Sequence, residues 1–181
     1  MPIDTNAAPQ CHASDAELML EGPAACPPSA KIGSGLVVSD TGRSGGPMPR
    51  YSKSTISDFN NAGEVIGVGV NQDIPAIKSV DHTKLRGNTS TTNFPVFPGF
   101  PPPEPYTPIR SLHIVFPRYA RGGRAYARAP RTCPASGRWT ISLEFTYHDG
   151  VTQTVRSHSR CKRPQKEDGR HAAAHSRARQ R

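Results

Sequence analysis

Residues 139–157 read WTISLEFTYHDGVTQTVRS, and large apolar side chains occupy every second position of its first half. Alternation with a period of two is typical of a β-strand that buries one face. His148, Asp149 and Gly150 then supply turn residues, after which the chain can return beside the first strand. The stretch therefore predicts an antiparallel β-hairpin. Its apolar face is expected to carry Trp139, Ile141, Leu143, Phe145 and Tyr147.

The length of the hairpin loop determines which residues face each other. A two-residue loop would place both valines of the returning strand on the polar face. A three-residue loop, with Gly150 in the left-handed region, places Tyr147 opposite Val151 and Leu143 opposite Val155. Because a slip of one residue would turn the apolar side chains of the returning strand toward water, we predict the three-residue loop.

Two of the four cysteines can be placed on the same register. Continued outward, it sets Gly137 opposite Cys161, and Cys133 can fold back toward Cys161 across the intervening turn. We predict a disulfide there, contributing about 3–4 kcal/mol, with Cys11 and Cys26 as the second pair. The alternative is four free thiols in a reducing compartment. A zinc site is not favoured, because the sequence lacks paired Cys-x-x-Cys knuckles.

The rest of the chain is also rich in strand patterns. A Pro-rich stretch at 94–108 predicts a crossover between sheets. We therefore predict an all-β fold, a small antiparallel β-sandwich of immunoglobulin-like size stapled by disulfides, with disordered termini. The strands are expected at 31–39, 52–59, 64–70 and 109–116, with a weaker pattern at 74–85.

Composition limits the size of the core. Leu, Ile, Val and Phe number 31 of the 181 residues, and 28 of these lie within 32–155. This distribution predicts a flexible N-terminal segment at 1–29, a β-sandwich domain at 30–161 and a basic, disordered tail at 162–181. So thin a core excludes a large α/β enzyme, and no apolar run has the roughly 20 residues that span a bilayer.

Charge divides the chain into two halves. Residues 1–109 carry 7 basic and 10 acidic side chains, whereas residues 110–181 carry 16 basic and 4 acidic ones. Such asymmetry indicates either a solvated surface that binds no partner or an anionic partner, for which we expect cell-wall or other polyanionic polymer. The alternative partner is nucleic acid, with Tyr119 and Tyr126 stacking on bases. The candidate anion-binding residues are Arg118, Arg121, Arg124, Arg128, Arg131, Arg160, Lys162 and Arg163.

Catalytic motifs are weak by comparison. His148 lies in the hairpin turn and His158 on the returning strand, but neither has a partner that the sequence can place within reach. No phosphate-binding glycine loop and no Gly-x-Ser-x-Gly elbow is present. We therefore expect a non-catalytic protein without a metal or cofactor. The sequence does not indicate an oligomeric state.

Three stretches together resemble a group of uncharacterised secreted, β-rich proteins of actinobacteria. They are ACPPSAKIGSG at 25–35, the segment 55–60, and the closing hairpin from CPASGRW at 133–139 through FTYHDGVTQ to Cys161. The likeness covers 11–161, and the closing hairpin is its most specific part. The resemblance implies export, two disulfides, an all-β fold and no assigned catalytic residues.

The expected location is extracellular or in the cell envelope. The first six residues, MPIDTN, lack the basic and apolar regions of a signal peptide. The expected disulfides require export, but no signal peptide is visible, and two explanations of this conflict stay open. Either the true start lies upstream, or the cysteines remain reduced.

Overall fold

The structure is a computed structural model that describes residues 3–42, 49–94, 107–121, 123–128, 130 and 132–161. The chain divides into two compact units, Met1–Ala129 and Pro130–Arg181. The boundary between them falls inside the single domain expected at 30–161. None of the helices in the described part of the chain is long and apolar enough to cross a membrane.

The first unit is built on a six-stranded antiparallel sheet with the order β5-β4-β3-β2-β1-β6. A small pair, β7 and β8, follows the sheet. All strands expected in this unit are present, and the weak pattern at 74–85 corresponds to β4. The strands are β1 (Lys31–Asp40), β2 (Tyr51–Asn61), β3 (Glu64–Asn71), β4 (Lys78–Arg86), β5 (Thr89–Asn93), β6 (Ile109–Val115), β7 (Ala120–Arg121) and β8 (Arg124–Ala125).

Strand β5 was not expected from the sequence. Its residues, TSTTN, include no large apolar side chain, so no alternation marks it. It forms by pairing with β4, where the hydroxyls of Thr83 and Thr92 lie 2.6 Å apart. Strands β5 and β6 lie at opposite edges of the sheet. The stretch 94–108, expected to cross between two sheets, therefore connects two strands of the same sheet. Residues 95–106 of it lie outside the described residues.

The N-terminal segment, expected to be flexible, is folded onto the sheet. Its one α-helix, α1 (Asp15–Glu21), begins at a capping box in which Ser14 and Glu17 bond each other's backbone N–H groups. Short 3-10 turns flank α1 at Thr5–Ala7, Gly22–Ala25 and Pro28–Ala30. The disulfide and the helix give this segment an apolar side of its own. Cys11, Cys26 and Leu18 are buried against Phe59, Ile66 and Val68 of the sheet.

Asn60 of β2 fastens the beginning of this segment. Its side-chain Nδ2 donates to the carbonyls of Thr5, Ala8 and Pro9 at 2.8, 2.9 and 3.0 Å. Its backbone carbonyl accepts a hydrogen bond from the N–H of Cys11 at 2.8 Å. A fully buried amide with these partners stabilises a single backbone conformation of the segment.

The second unit contains β9 (Arg138–Thr146) and β10 (Thr152–Arg160). Leu143 lies opposite Val155, and the N–H of Tyr147 donates to the carbonyl of Val151 at 2.8 Å. Gly150 has a φ of 82°. The predicted three-residue loop and its register are therefore confirmed. Disulfides join Cys133 to Cys161 and Cys11 to Cys26, so both predicted pairs are present.

The apolar face of this hairpin was expected to be buried, and within its own unit that expectation is wrong. Ile141 is 57% exposed and Phe145 is 44% exposed. Two strands alone provide no second layer to cover either face. The all-β, antiparallel and disulfide-stapled character of the fold is confirmed. The layer that packs on the larger sheet is the N-terminal segment.

Candidate functional site

The predicted anion-binding residues are divided between the two units. Arg118, Arg124 and Arg128 lie around β7 and β8 in the first unit, and Arg160 ends β10 in the second. Arg121 lies in β7, but its side chain is not described. The remaining three, Arg131, Lys162 and Arg163, lie outside the described residues.

Arg124 has a structural partner within the first unit. Its Nη2 and Nε donate to Asp4 Oδ2 at 2.8 and 3.2 Å. The N–H of Asp4 donates to the carbonyl of Tyr126 at 2.8 Å, and Ile3 forms a β-bridge with Ala127. The positive charge of Arg124 is therefore already paired, in a contact that ties the chain start to β8.

The two tyrosines expected to stack on bases are held in the fold. Tyr126 is 5% exposed and packs with Ala8, Ile32 and Val65. Tyr119 donates its hydroxyl to the carbonyl of Ser29 at 3.3 Å. The expected stacking role is wrong for Tyr126, because a buried ring offers no face to a base.

On the polar face of the β9–β10 hairpin, Arg160, a predicted anion-binding residue, lies near three basic residues that were not predicted for that role. Arg138 lies directly opposite Arg160, and Arg156 and His158 precede Arg160 on the same face of β10. We call these four residues the hairpin basic face. The predicted register could have identified this opposed pair from the sequence, because it already placed residues 138 and 160 across from each other.

A second cluster, of acidic groups, lies in the six-stranded sheet. The register aligns Gly33, Asp58, Gly67 and Asp81 in one row across β1 to β4. Directly paired residues share a face of a sheet, so both carboxyl groups project from the same side. A Cβ atom at Gly67 would lie 2.5 Å from Asp81 Oδ1, and one at Gly33 would lie 2.8 Å from Asp58 Oδ2. The two glycines thus leave the space that the carboxyl groups occupy.

The surroundings of the acidic row favour the protonated, neutral forms of its carboxyl groups. Burial raises the pKa of Asp58 to about 7, with a further increase from the charge of Asp81 and an opposing effect of Lys31. Burial also raises the pKa of Asp81, against the charge of His82. Burial and the charge of Asp58 raise the pKa of Tyr126 to about 12. Asp58 Oδ2 and the Tyr126 hydroxyl have no hydrogen-bond partner among the described residues. The row can therefore hold a proton near neutral pH.

On the opposite face of β4, His82 joins α1 to the sheet. Its Nε2 lies 2.9 Å from Asp15 Oδ1, and its Nδ1 lies 3.3 Å from Glu64 Oε2. Burial alone would lower the pKa of His82, but the hydrogen bonds and charges of Asp15 and Glu64 outweigh it and raise that pKa. No group of three or more His, Cys, Asp or Glu side chains able to hold a metal ion occurs in the described ranges.

No protein-family model matches this chain. No curated protein and no solved structure is significantly similar to it.

Proposed function

We propose that the protein is a non-catalytic β-domain protein, exported or associated with the cell envelope, that binds acidic polymers through its Arg-rich half. Export is supported by the placement of the two disulfides. Cys11 and Cys26 are 0% and 3% exposed inside the core of the first unit. Cys133 and Cys161 close the base of a hairpin on which no second layer packs within the described residues of its unit. Disulfides at such positions fit a non-reducing compartment.

Binding to an acidic polymer is supported by charge that the fold leaves unpaired, and this observation carries the proposal. No ion pair among the described residues involves Arg138, Arg156 or Arg160. Arg118 and Arg128 are likewise exposed in the first unit. Arginine binds phosphate and carboxylate groups through two parallel hydrogen bonds, so unpaired arginines favour an anionic ligand.

Nucleic acid is the alternative partner. The basic half would attract it by charge alone. The buried ring of Tyr126 removes one of the two stacking groups on which this interpretation depended. An acidic polymer without bases therefore remains the better-supported partner.

The test is a binding measurement on the full, oxidised chain. Fluorescently labelled inorganic polyphosphate and mixed-sequence DNA of equal charge are titrated from about 50 to about 200 mM salt, where polyanion binding falls steeply. We expect polyphosphate to bind at low salt and to lose affinity as salt rises. Absence of binding to every acidic polymer at the lowest salt would overturn the proposal, and tighter binding to DNA would favour the alternative.

A further inference from the structure

The hairpin basic face gathers four basic side chains in the half of the β9–β10 hairpin that lies toward its base, away from the loop. Arg138 and Arg160 are a directly opposed pair, so their Cβ atoms lie about 5 Å apart. Arg156 and His158 continue the row along β10 at alternate positions, about 6.6 Å apart. The Nδ1 of His158 lies 3.0 Å from Thr140 Oγ1, a hydrogen bond that leaves the Nε2 atom for another partner.

Among the residues of the second unit that the structure describes, no acidic side chain pairs with these arginines. Glu144 is the acidic residue of the β9 polar face, and it lies opposite Thr154. It forms no ion pair with the arginines within the described part of the hairpin. Like charges directly opposite each other are unfavourable in an antiparallel pair. An anion between Arg138 and Arg160 would remove this repulsion.

The backbone beneath the arginines is already fixed. The disulfide between Cys133 and Cys161 closes the hairpin next to Arg160. The N–H of Cys161 donates to the carbonyl of Gly137 at 2.9 Å, and the N–H of Gly137 donates to the carbonyl of Pro134 at 2.9 Å. A site whose backbone is ordered before binding loses less entropy when the ligand arrives.

The distribution of rings on the hairpin indicates the class of ligand. Trp139, Phe145 and Tyr147 belong to the apolar face, so the hairpin basic face presents guanidinium and imidazole groups without a phenyl or indole ring. Single-stranded nucleic acid gains much of its affinity from bases stacked on such rings. Guanidinium groups repeated along the strands without a phenyl or indole ring suit a chain of repeated anions that has no bases. Guanidinium forks suit phosphate in particular.

We propose that the hairpin basic face, Arg138, Arg156, His158 and Arg160, is a binding site for a linear polymer of repeating phosphate groups without bases. The inference rests on the proposed function, since it names the site and the ligand class for polyanion binding. It adds Arg138, Arg156 and His158 to the residues considered for that role. It also assigns the main contact to the second unit instead of the arginines around β7 and β8.

The experiment compares matched pairs of arginine variants of the full, oxidised chain. Arg138→Gln/Arg160→Gln removes the opposed pair, and Arg138→Lys/Arg160→Lys keeps its charge without the planar fork. Lys53→Gln/Arg86→Gln is the control, because both residues are exposed in the first unit and outside the Arg-rich half. Binding to inorganic polyphosphate, to poly(glycerol phosphate) and to single-stranded DNA is measured by fluorescence anisotropy over a salt series. Circular dichroism and non-reducing mass spectrometry verify that each variant is folded and disulfide-bonded.

We expect the Gln pair to weaken binding of a base-free phosphate polymer about tenfold or more and to reduce the salt slope by about 2, one for each lost phosphate contact. The Lys pair should fall between wild type and the Gln pair. The polymer that binds more tightly identifies the source of the phosphate. Equal affinity of the Gln pair and the control pair would overturn the inference, as would tighter binding to DNA.

A second arginine pair separates failure of the site from failure of the function. If Arg118→Gln/Arg128→Gln weakens polymer binding and the hairpin variants do not, this site is wrong while the proposed function stands. If the wild-type chain binds no acidic polymer, both proposals fail.

Discussion

Replacing Asp58 with asparagine should remove a loss of stability that the wild-type protein undergoes between about pH 4 and pH 8. The Asp58 residue is 4% exposed, and its Oδ2 has no hydrogen-bond partner among the described residues. Burial, followed by the charge of Asp81, raises its pKa from the ordinary 3.8 to about 7. Asparagine has nearly the same shape and no charge, so the exchange isolates the cost of ionising this carboxyl group.

The direction of the stability change with pH follows from the affinities of the folded and unfolded states for the Asp58 proton. The folded protein binds the Asp58 proton more tightly than the unfolded chain does, because its pKa is higher in the folded state. The stability from this group is fully present below about pH 4 and is lost as pH rises through about 7. A difference of about 3 pKa units, at about 1.4 kcal/mol each, corresponds to about 4 kcal/mol. That is a large part of the stability of a small domain.

Urea denaturation followed by far-ultraviolet circular dichroism measures this difference. Wild type, Asp58→Asn and the exposed-site control Glu21→Gln are unfolded at about pH 4 and about pH 8 with their disulfides intact. The free energy of unfolding of Asp58→Asn minus that of wild type should be greater at about pH 8 than at about pH 4, by up to about 4 kcal/mol. A wild-type-to-variant difference that is the same at both values would refute the assignment of Asp58 as a buried, proton-holding carboxyl.

The remaining predictions concern contacts within the first unit. His82→Gln should be less stable than wild type below about pH 6.5, and this difference should be lost as the pH rises through the raised pKa of His82. Thermal midpoints over a pH series measure the difference. Gly67→Ala should destabilise by about 1–3 kcal/mol, because its Cβ would meet the Asp81 carboxyl group. An unchanged penalty in an Asp81→Ala background, measured by a double-mutant cycle, would contradict that contact. Cys11→Ala/Cys26→Ala should cost about 3 kcal/mol for a loop of 15 residues, and an unchanged melting temperature would argue against it.

The closing hairpin could be predicted in detail because its information is local. Alternation defined the two faces, and Gly150 permitted the loop that keeps Tyr147 and Val151 together. The disulfide between Cys133 and Cys161 followed from the same register. The exposure of the apolar face did not follow, because alternation identifies a face and does not supply the layer that would cover it.

The acidic row and the folded N-terminal segment depend on contacts between distant parts of the chain. Asp58 and Asp81 become neighbours only when the pairings of β2, β3 and β4 are aligned, and no local pattern encodes that alignment. The N-terminal segment was expected to be flexible, yet Leu18 is buried beside its disulfide. The capping box between Ser14 and Glu17 was a readable helix signal in that segment.

Compartment, fold and the proposed binding site all depend on one claim: both cysteine pairs are bonded in the protein as its host produces it. Non-reducing peptide mass spectrometry of alkylated protein from that host tests this claim most directly. We predict one linked peptide pair containing Cys11 and Cys26 and another containing Cys133 and Cys161. Alkylated, free thiols at all four positions would contradict export and remove the closure on which the hairpin basic face depends.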